Sequence, residues 1–195
     1  MTVPNVSKHL SLLAAVGLWS MPWIASAEVE SYTLDPGHSF VTFSISHLGY
    51  SMLQGRFNDL EGSFEYDTEN PASSSIKVVI KTASVDTNHA ERDKHLRDAD
   101  FLNVEMFPEA SFESTSFVED GDTGVLTGNL TLHGVTKPID VDVTLVGAGK
   151  DPWGGYRRGY IGRTTLRRSD FDMSYDLGPA AEEMALEFNI EGIRQ

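Results

Sequence analysis

Polar and apolar residues alternate along most of this chain beyond residue 30. Between His38 and His47, Val41, Phe43 and Ile45 fall on one side, with Thr42, Ser44 and Ser46 on the other. A strand turns successive side chains to opposite faces, so this segment predicts one wet face and one apolar face. Gly49, Tyr50 and Ser51 break the alternation, and a second run from Leu53 to Tyr66 follows. The pair predicts a long antiparallel hairpin with a histidine near each end of its first strand. A shorter strand precedes it at 31–35, closed by a Pro36-Gly37 turn.

The same period recurs downstream. Ile76, Val78 and Ile80 are in phase over 76–82, and Ala110 and Phe112 over 110–118. Residues 119–122 read as a turn, and 125–133 then sets Leu126, Leu130 and Leu132 on one face. The cleanest run is 137–147, where Ile139, Val141, Val143 and Leu145 alternate with Asp140, Asp142 and Thr144. Residues 156–168 form a polar, glycine-bearing strand, and 182–191 sets Met184, Leu186, Phe188 and Ile190 against Glu183, Glu187 and Glu191. Eight or nine strands with short turns predict an antiparallel sandwich or barrel. Strands rising about 3.3 Å per residue and tilted by about 40° suit a barrel wall. A barrel of about eight strands leaves an interior for side chains or for one ligand. Glycines 49, 55, 62, 128, 134, 159 and 162 permit the curvature that closure needs.

One stretch departs from the strand pattern. Residues 88–98 are charged and rich in helix formers, and Asn88 stands three residues before Glu91 in the spacing of a capping box. They predict a short helix, followed by an irregular apolar turn through Phe101, Leu102, Met106 and Phe107 that Pro108 ends. Such an insert suits a plug at one end of a barrel.

Charge and composition narrow the functions. The chain carries 29 acidic against 15 basic residues, a net charge of −14. That surface argues against nucleic acid and against electrostatic docking on anionic lipid. Lys8 before an apolar stretch over 10–24 and the small-x-small triplet Ala25-Ser26-Ala27 have the form of a secretory signal cleaved after Ala27. The expected domains are therefore a signal peptide, 1–27, and one exported domain, 28–195. The apolar stretch is short of the roughly 20 residues a membrane span needs, so no stable membrane insertion is expected. With no cysteine in the chain, thiol catalysis, disulfides and cysteine-ligated metals are excluded.

Candidate chemistry is sparse. His47 shares the phase of Phe43 and Ile45 and is expected to point inward. His38 and His47 lie too far apart along a strand to share an ion, and no HxH or HExxH spacing occurs, so no metal and no cofactor are expected. No GxSxG element supports a serine nucleophile, and the carboxylates of Asp170, Asp172, Glu182 and Glu183 read as solvated loop charges. Five arginines crowd into 157–168; a period of two puts Arg157, Arg163 and Arg167 on one face and Arg158 and Arg168 on the other. The arginines form a local positive strip suited to a phosphate or carboxylate. Apolar residues exceed what a minimal wall requires, and methionines among them adapt to irregular apolar guests.

These residues are also familiar in combination. Asp35-x-x-His38-Ser39 with Phe43 and His47, Gly55-x-Phe57 with Gly62, and Arg92-Asp93-x-His95-Leu96 with Asp100-Phe101 come first. Phe107-Pro108 with Phe112, Gly128-x-Leu130-Thr131-x-x-Gly134-Val135-Thr136-Lys137-Pro138, and Arg168-Ser169-Asp170-Phe171 follow. In this order the chain resembles the YceI-like family of polyisoprenoid-binding proteins. The resemblance implies an all-β fold: an antiparallel, eight-stranded, lipocalin-like barrel with a short helical insertion. It implies a periplasmic, non-enzymatic carrier of an isoprenoid or other long amphiphile, connected with quinone traffic or stress. Isoprenoid quinone, polyprenyl phosphate, fatty acid and fatty amide all remain open as ligands. Asp172 stands where the family often has glycine.

The expected tail contacts are Phe43, Ile45, Met52, Phe57, Phe101, Met106, Phe112, Leu132, Val143, Leu166 and Met184. His47 and Arg163 are expected at the headgroup. Two rivals stand beside the carrier: an enzyme acting on such a lipid, and a packed interaction module serving a membrane redox protein. The module predicts a filled interior, and barrel-edge strands leave room for a homodimer.

Overall fold

The computed structural model describes residues 1–2 and 29–195. The expected signal segment, beyond its first two residues, lies outside the described residues. Eleven strands run in one antiparallel sheet: β1 (Val29–Leu34), β2 (Phe40–His47), β3 (Ser51–Phe57), β4 (Leu60–Asp67), β5 (Ser75–Lys81), β6 (Val85–Asp86), β7 (Glu109–Asp120), β8 (Thr123–Leu132), β9 (Val135–Lys150), β10 (Tyr156–Arg167) and β11 (Glu183–Arg194). The sheet closes because β1 pairs with both β4 and β11.

The eleven strands make a barrel of eight walls. β1 and β2 run in line along β11, β1 pairing over 192–194 and β2 over 184–189. β3 and β4 continue each other against β2 and β1, and β6 and β5 continue each other against β3 and β4. Walls follow chain order, and the two long connections are 87–108, which carries α1, and 168–182. The three interrupted walls break at one level, at 35–39, 58–59 and 82–84. Backbone bonds from Asn58 to Ser84 (3.3 Å) and from Lys81 to Asp59 (3.0 Å) stitch two breaks together.

The third break explains the Asp35-x-x-His38-Ser39 element. Asp35 accepts from the Gly37 amide (2.9 Å) and pairs with His38 (2.9 Å), which turns the chain. Ser39, buried, then donates to the Glu191 carbonyl (3.2 Å) and accepts from the Glu191 amide (3.0 Å). Its hydroxyl thus supplies β11 with the pairing that the missing strand residues cannot. The element is architectural.

Alternation places the core. β1 buries Glu30, Tyr32 and Leu34 and leaves the residues between them exposed. Val41, Phe43, Phe64, Val78, Ile80, Phe112, Leu130, Val141 and Ile190 fill the inward faces of the other walls. The run from Leu53 to Tyr66 is two strands, and its phase slips at the break. Leu53 and Phe57 face inward before Asn58-Asp59, and Leu60, Phe64 and Tyr66 after it. β9 extends past the expected 137–147 at both ends, since Gly147, Ala148 and Gly149 still pair with β10.

The helix α1 (Ala90–Arg97) forms where expected, with a different cap. Asn88 takes a left-handed φ of 60° to turn the chain, so His89 becomes the N-cap and its Nδ1 accepts from the Arg92 amide (3.3 Å). Asp93 accepts from the Thr87 amide (2.8 Å) and hydroxyl (2.5 Å). Arg97 donates to the carbonyls of Ala83 (2.7 Å) and Val85 (2.6 Å). The helix therefore supplies hydrogen bonds to the free side of β6 that would otherwise be open to pairing with another chain. Residues 51–55 of β3 pair on one side only, with β2, so an edge of the kind that leaves room for a homodimer persists there. Among the described residues, no helix is long and apolar enough to cross a membrane.

Candidate functional site: an apolar chamber with a basic mouth

Facing walls leave two cavities inside the barrel. The larger, about 410 Å³, lies at the end that carries α1. Its walls come from β2 (Val41, Phe43, Ile45), β3 (Leu53, Phe57), β8 (Leu130, Leu132) and β11 (Met184, Leu186, Phe188). Leu96, Phe101, Leu102, Met173, Tyr175 and Leu177 roof it. The smaller, about 90 Å³, lies deeper, among Phe64, Phe112, Phe117, Leu126, Val141, Val143, Tyr160 and Ile190. Ile80, Leu130 and Phe188 bound both and form a waist between them. Gly162 opens the deep cavity, since a Cβ there would sit 2.9 Å from Val141 Cγ1. The interior is hollow, against the expectation of the packed-module rival.

A buried polar cluster floors the deep end. The Arg158 guanidinium lies 3.5 Å from the Tyr66 ring centroid and donates from Nε to the Tyr160 hydroxyl (2.7 Å). Tyr32 donates to Glu30 (2.6 Å), which also accepts from Arg194 (2.8 Å). Burial first, and then the Glu30 carboxylate, push the Tyr32 hydroxyl far above its ordinary range, so it stays a donor.

The mouth is basic. Arg92, Arg168, His47 and His95 all border the larger cavity, and among the described residues no aspartate or glutamate does. Arg168 is 6% exposed. It donates to the backbone carbonyls of Ala181 (2.7 Å), Met173 (3.1 Å) and Tyr175 (3.2 Å), which carry no compensating charge. Arg92 is held by the Thr87 hydroxyl and carbonyl, both at 2.7 Å. His95 bonds Asp100 (2.9 Å) and stands edge-on to the rings of Phe101 and Tyr175. His47 is exposed at the rim.

The structure brings most of the expected residues together and sets others apart. Phe43, Ile45, Phe57, Phe101, Leu132, Met184 and His47 border the larger cavity, and Phe112 and Val143 the smaller. Met52 does not: inward residues of β3 are Leu53 and Phe57, so its neighbour in sequence must face out. Met106 is solvent-exposed in the turn after α1. Leu166 is buried in the core but borders neither cavity. Arg163 faces outward on β10 and pairs with Glu187 at 2.7 Å, so it cannot reach a headgroup in the barrel. The inward face of β10 carries Arg158, Leu166 and the adjoining Arg168. Sequence reasoning separated the two arginine faces and then chose the outer one. The shared phase of Leu166 and Arg168 was the signal for the inner face. Arg92, His95 and Tyr175 carried no periodic signal, because helix and loop bring them to the mouth.

A second cluster lies outside the barrel. Asp35, His38 and Glu191 approach one another in the manner of metal ligands. Arg157 already bonds Asp35 (2.6 Å), Glu191 and Asp151 (3.0 Å). That guanidinium, and then His38, hold the Asp35 carboxyl down at about 2. The cluster reads as a charge clasp among β1, β10 and β11.

These features define a class: a closed eight-walled antiparallel barrel with an apolar chamber open toward a basic rim. The YceI-like domain model matches residues 32–192, and the chain belongs to that family. It is 54% identical to a UPF0312 protein of Pseudomonas aeruginosa over 186 residues, 94% of this chain and 97% of that one. It is 48% identical to a UPF0312 protein of Pectobacterium atrosepticum over 190 residues, 97% and 99% of the two chains. Among solved structures, the Campylobacter jejuni YceI protein superposes with a TM-score of 0.69 at 29% identity, covering 77% of this chain and 90% of that one. A polyisoprenoid-binding domain from Saccharophagus degradans shares the fold at 18% identity, with a TM-score of 0.65 and coverage of 84% and 98%.

Proposed function

We propose that this protein is a periplasmic carrier of a single-chain amphiphile, an isoprenoid or fatty tail bearing an anionic head. One observation carries the reading: two arginines, two histidines and no carboxylate border an otherwise apolar chamber in a chain of net charge −14. Buried Arg168 is held by backbone carbonyls, and the Glu182 carboxylate that it attracts is already engaged by Ser169 and Arg167, so a phosphate or carboxylate at the mouth adds the counter-charge. A cavity of a few hundred Å³ suits a lipid tail. The Saccharophagus degradans neighbour is described as polyisoprenoid-binding, which supports the tail class. An anionic head favours polyprenyl phosphate or fatty acid over quinone or amide. The mouth holds no nucleophile aligned with a base, so the reading is binding without turnover. The signal-like residues before Glu28 support the periplasm, and cell fractionation checks that placement.

The test compares cis-parinaric acid with its methyl ester by fluorescence titration. The acid should bind the wild-type protein at least about tenfold more tightly, the worth of one charge-assisted hydrogen bond. Arg168→Met should reduce that preference. Equal affinities for acid and ester would sink the anionic-head reading. Lipid extracts of protein from its native host, read by mass spectrometry, identify the natural occupant.

A further inference from the structure

The turn that joins β2 to β3, together with the start of β3, sends three large apolar side chains into solvent: Leu48, Tyr50 and Met52. Tyr50 is 87% exposed. Leu48 also borders the larger cavity, so the outer apolar surface continues the inner one. Tyr175 is likewise both exposed and part of the cavity wall. The turn is defined: the Tyr50 amide donates to the His47 carbonyl (3.0 Å) and the Gly49 amide to the Ser46 hydroxyl (3.1 Å).

Charge sets this turn apart from the rest of the molecule. No aspartate or glutamate occurs between Asp35 and Asp59, in a chain that has 29 of them. A surface that bears phosphate groups repels acidic patches and accepts apolar and tyrosine side chains at its headgroup level. The turn is also too small for a stable protein partner, which covers about 800 Å² on each side. A few side chains dipping into a bilayer surface need no such area.

We propose that the turn at 48–52 is a lip that seats the chamber mouth on a lipid bilayer, so that the amphiphile passes between bilayer and barrel without crossing water. The proposal rests on the carrier reading for its purpose, and the surface contact itself is separately measurable. Tyr50 and Met52 border neither cavity, so the double variant Tyr50→Ser/Met52→Ser alters the lip and leaves the chamber intact.

The experiment has two arms. In the first, ligand-free protein is floated with vesicles of phosphatidylethanolamine and phosphatidylcholine. Wild type should float, and the double variant should lose at least about tenfold in partitioning, as expected for two apolar side chains withdrawn from the interface. In the second, cis-parinaric acid is offered either from ethanol or from preloaded vesicles. Both proteins should bind it equally from ethanol, with only the variant slowed from vesicles. A wild type that stays in solution, or a variant that floats and extracts as well as wild type, overturns the lip. Failure of both proteins to bind the probe from ethanol counts against the carrier reading, and flotation still decides the lip.

Discussion

Asp172 stands where the family resemblance leads one to expect glycine, and its backbone conformation is one that suits glycine. Its φ of 56° lies in the left-handed region, at the end of the 3-10 turn Arg168–Phe171. Aspartate tolerates that conformation better than most residues, and glycine better still. Asp172→Gly should therefore raise stability by up to about 1 kcal/mol, read as a higher urea midpoint with unchanged slope. A lower midpoint would show that the side chain, and not the backbone, matters there. The same scale explains which motif residues sequence reading could interpret. Ser39 is recognisable as part of a pattern, yet its partner lies at Glu191, whereas Asp93 and Arg168 find theirs nearby at Thr87 and Ala181. Nothing in the local sequence names a hydrogen-bond partner more than a hundred residues away, so the structural work of Ser39 appears only in three dimensions.

Strands are the elements that the sequence announces most clearly, because a period of two survives wherever one face is wet. The walls from β8 to β11 follow the alternation closely, while a bulge at Ser114–Ser116 of β7 buries Phe117 out of phase with Ala110 and Phe112. What the period hides is interruption: Asn58-Asp59 shifts the inward phase by one residue while the overall texture stays strand-like. The cavity is equally hidden, since an inward phenylalanine reads the same whether it packs or lines a void. Phe188 illustrates the difference. It stands in phase with Leu186 and Ile190, and it forms the waist between the two cavities with Ile80 and Leu130. Phe188→Ala should merge them and shift preference toward longer tails, at a cost of about 3 kcal/mol in stability. Displacement of cis-parinaric acid by a series of fatty acids of rising length measures the shift. An unchanged order of preference would mean that the deep cavity takes no part in binding.

Across the whole molecule, closure depends on a short seam. β1 meets β11 through Tyr32, Thr33 and Leu34 opposite Arg194, Ile193 and Gly192. The clasp of Arg157 with Asp35, Asp151 and Glu191 lies beside that seam. Because Arg157 holds the folded-state Asp35 carboxyl near 2, below its ordinary 3.8, its contribution is full above pH 4 and fades as pH falls toward 2. Asp35→Asn should then melt below wild type at neutral pH, with the gap closing over that acid range. A gap that persists to pH 2 would place the effect outside the ion pair. The seam and the mouth thus differ in chemistry: acids balance arginines at the seam, and among the described residues none borders the larger cavity.

Three neighbouring walls are broken at one height, and the other five run through. Cutting a cup's side along a third of its circumference leaves a panel that bends without splitting the base. β2, β3 and β6 form that panel, with the helix fastened to its edge by Arg97. The lower ring keeps a continuous ladder, while the panel pairs with the rest of the barrel only where β2 meets β11. The interruptions divide the barrel into a continuously paired base and a collar held along one side, and it is β2 and β3 of that collar that border the larger cavity.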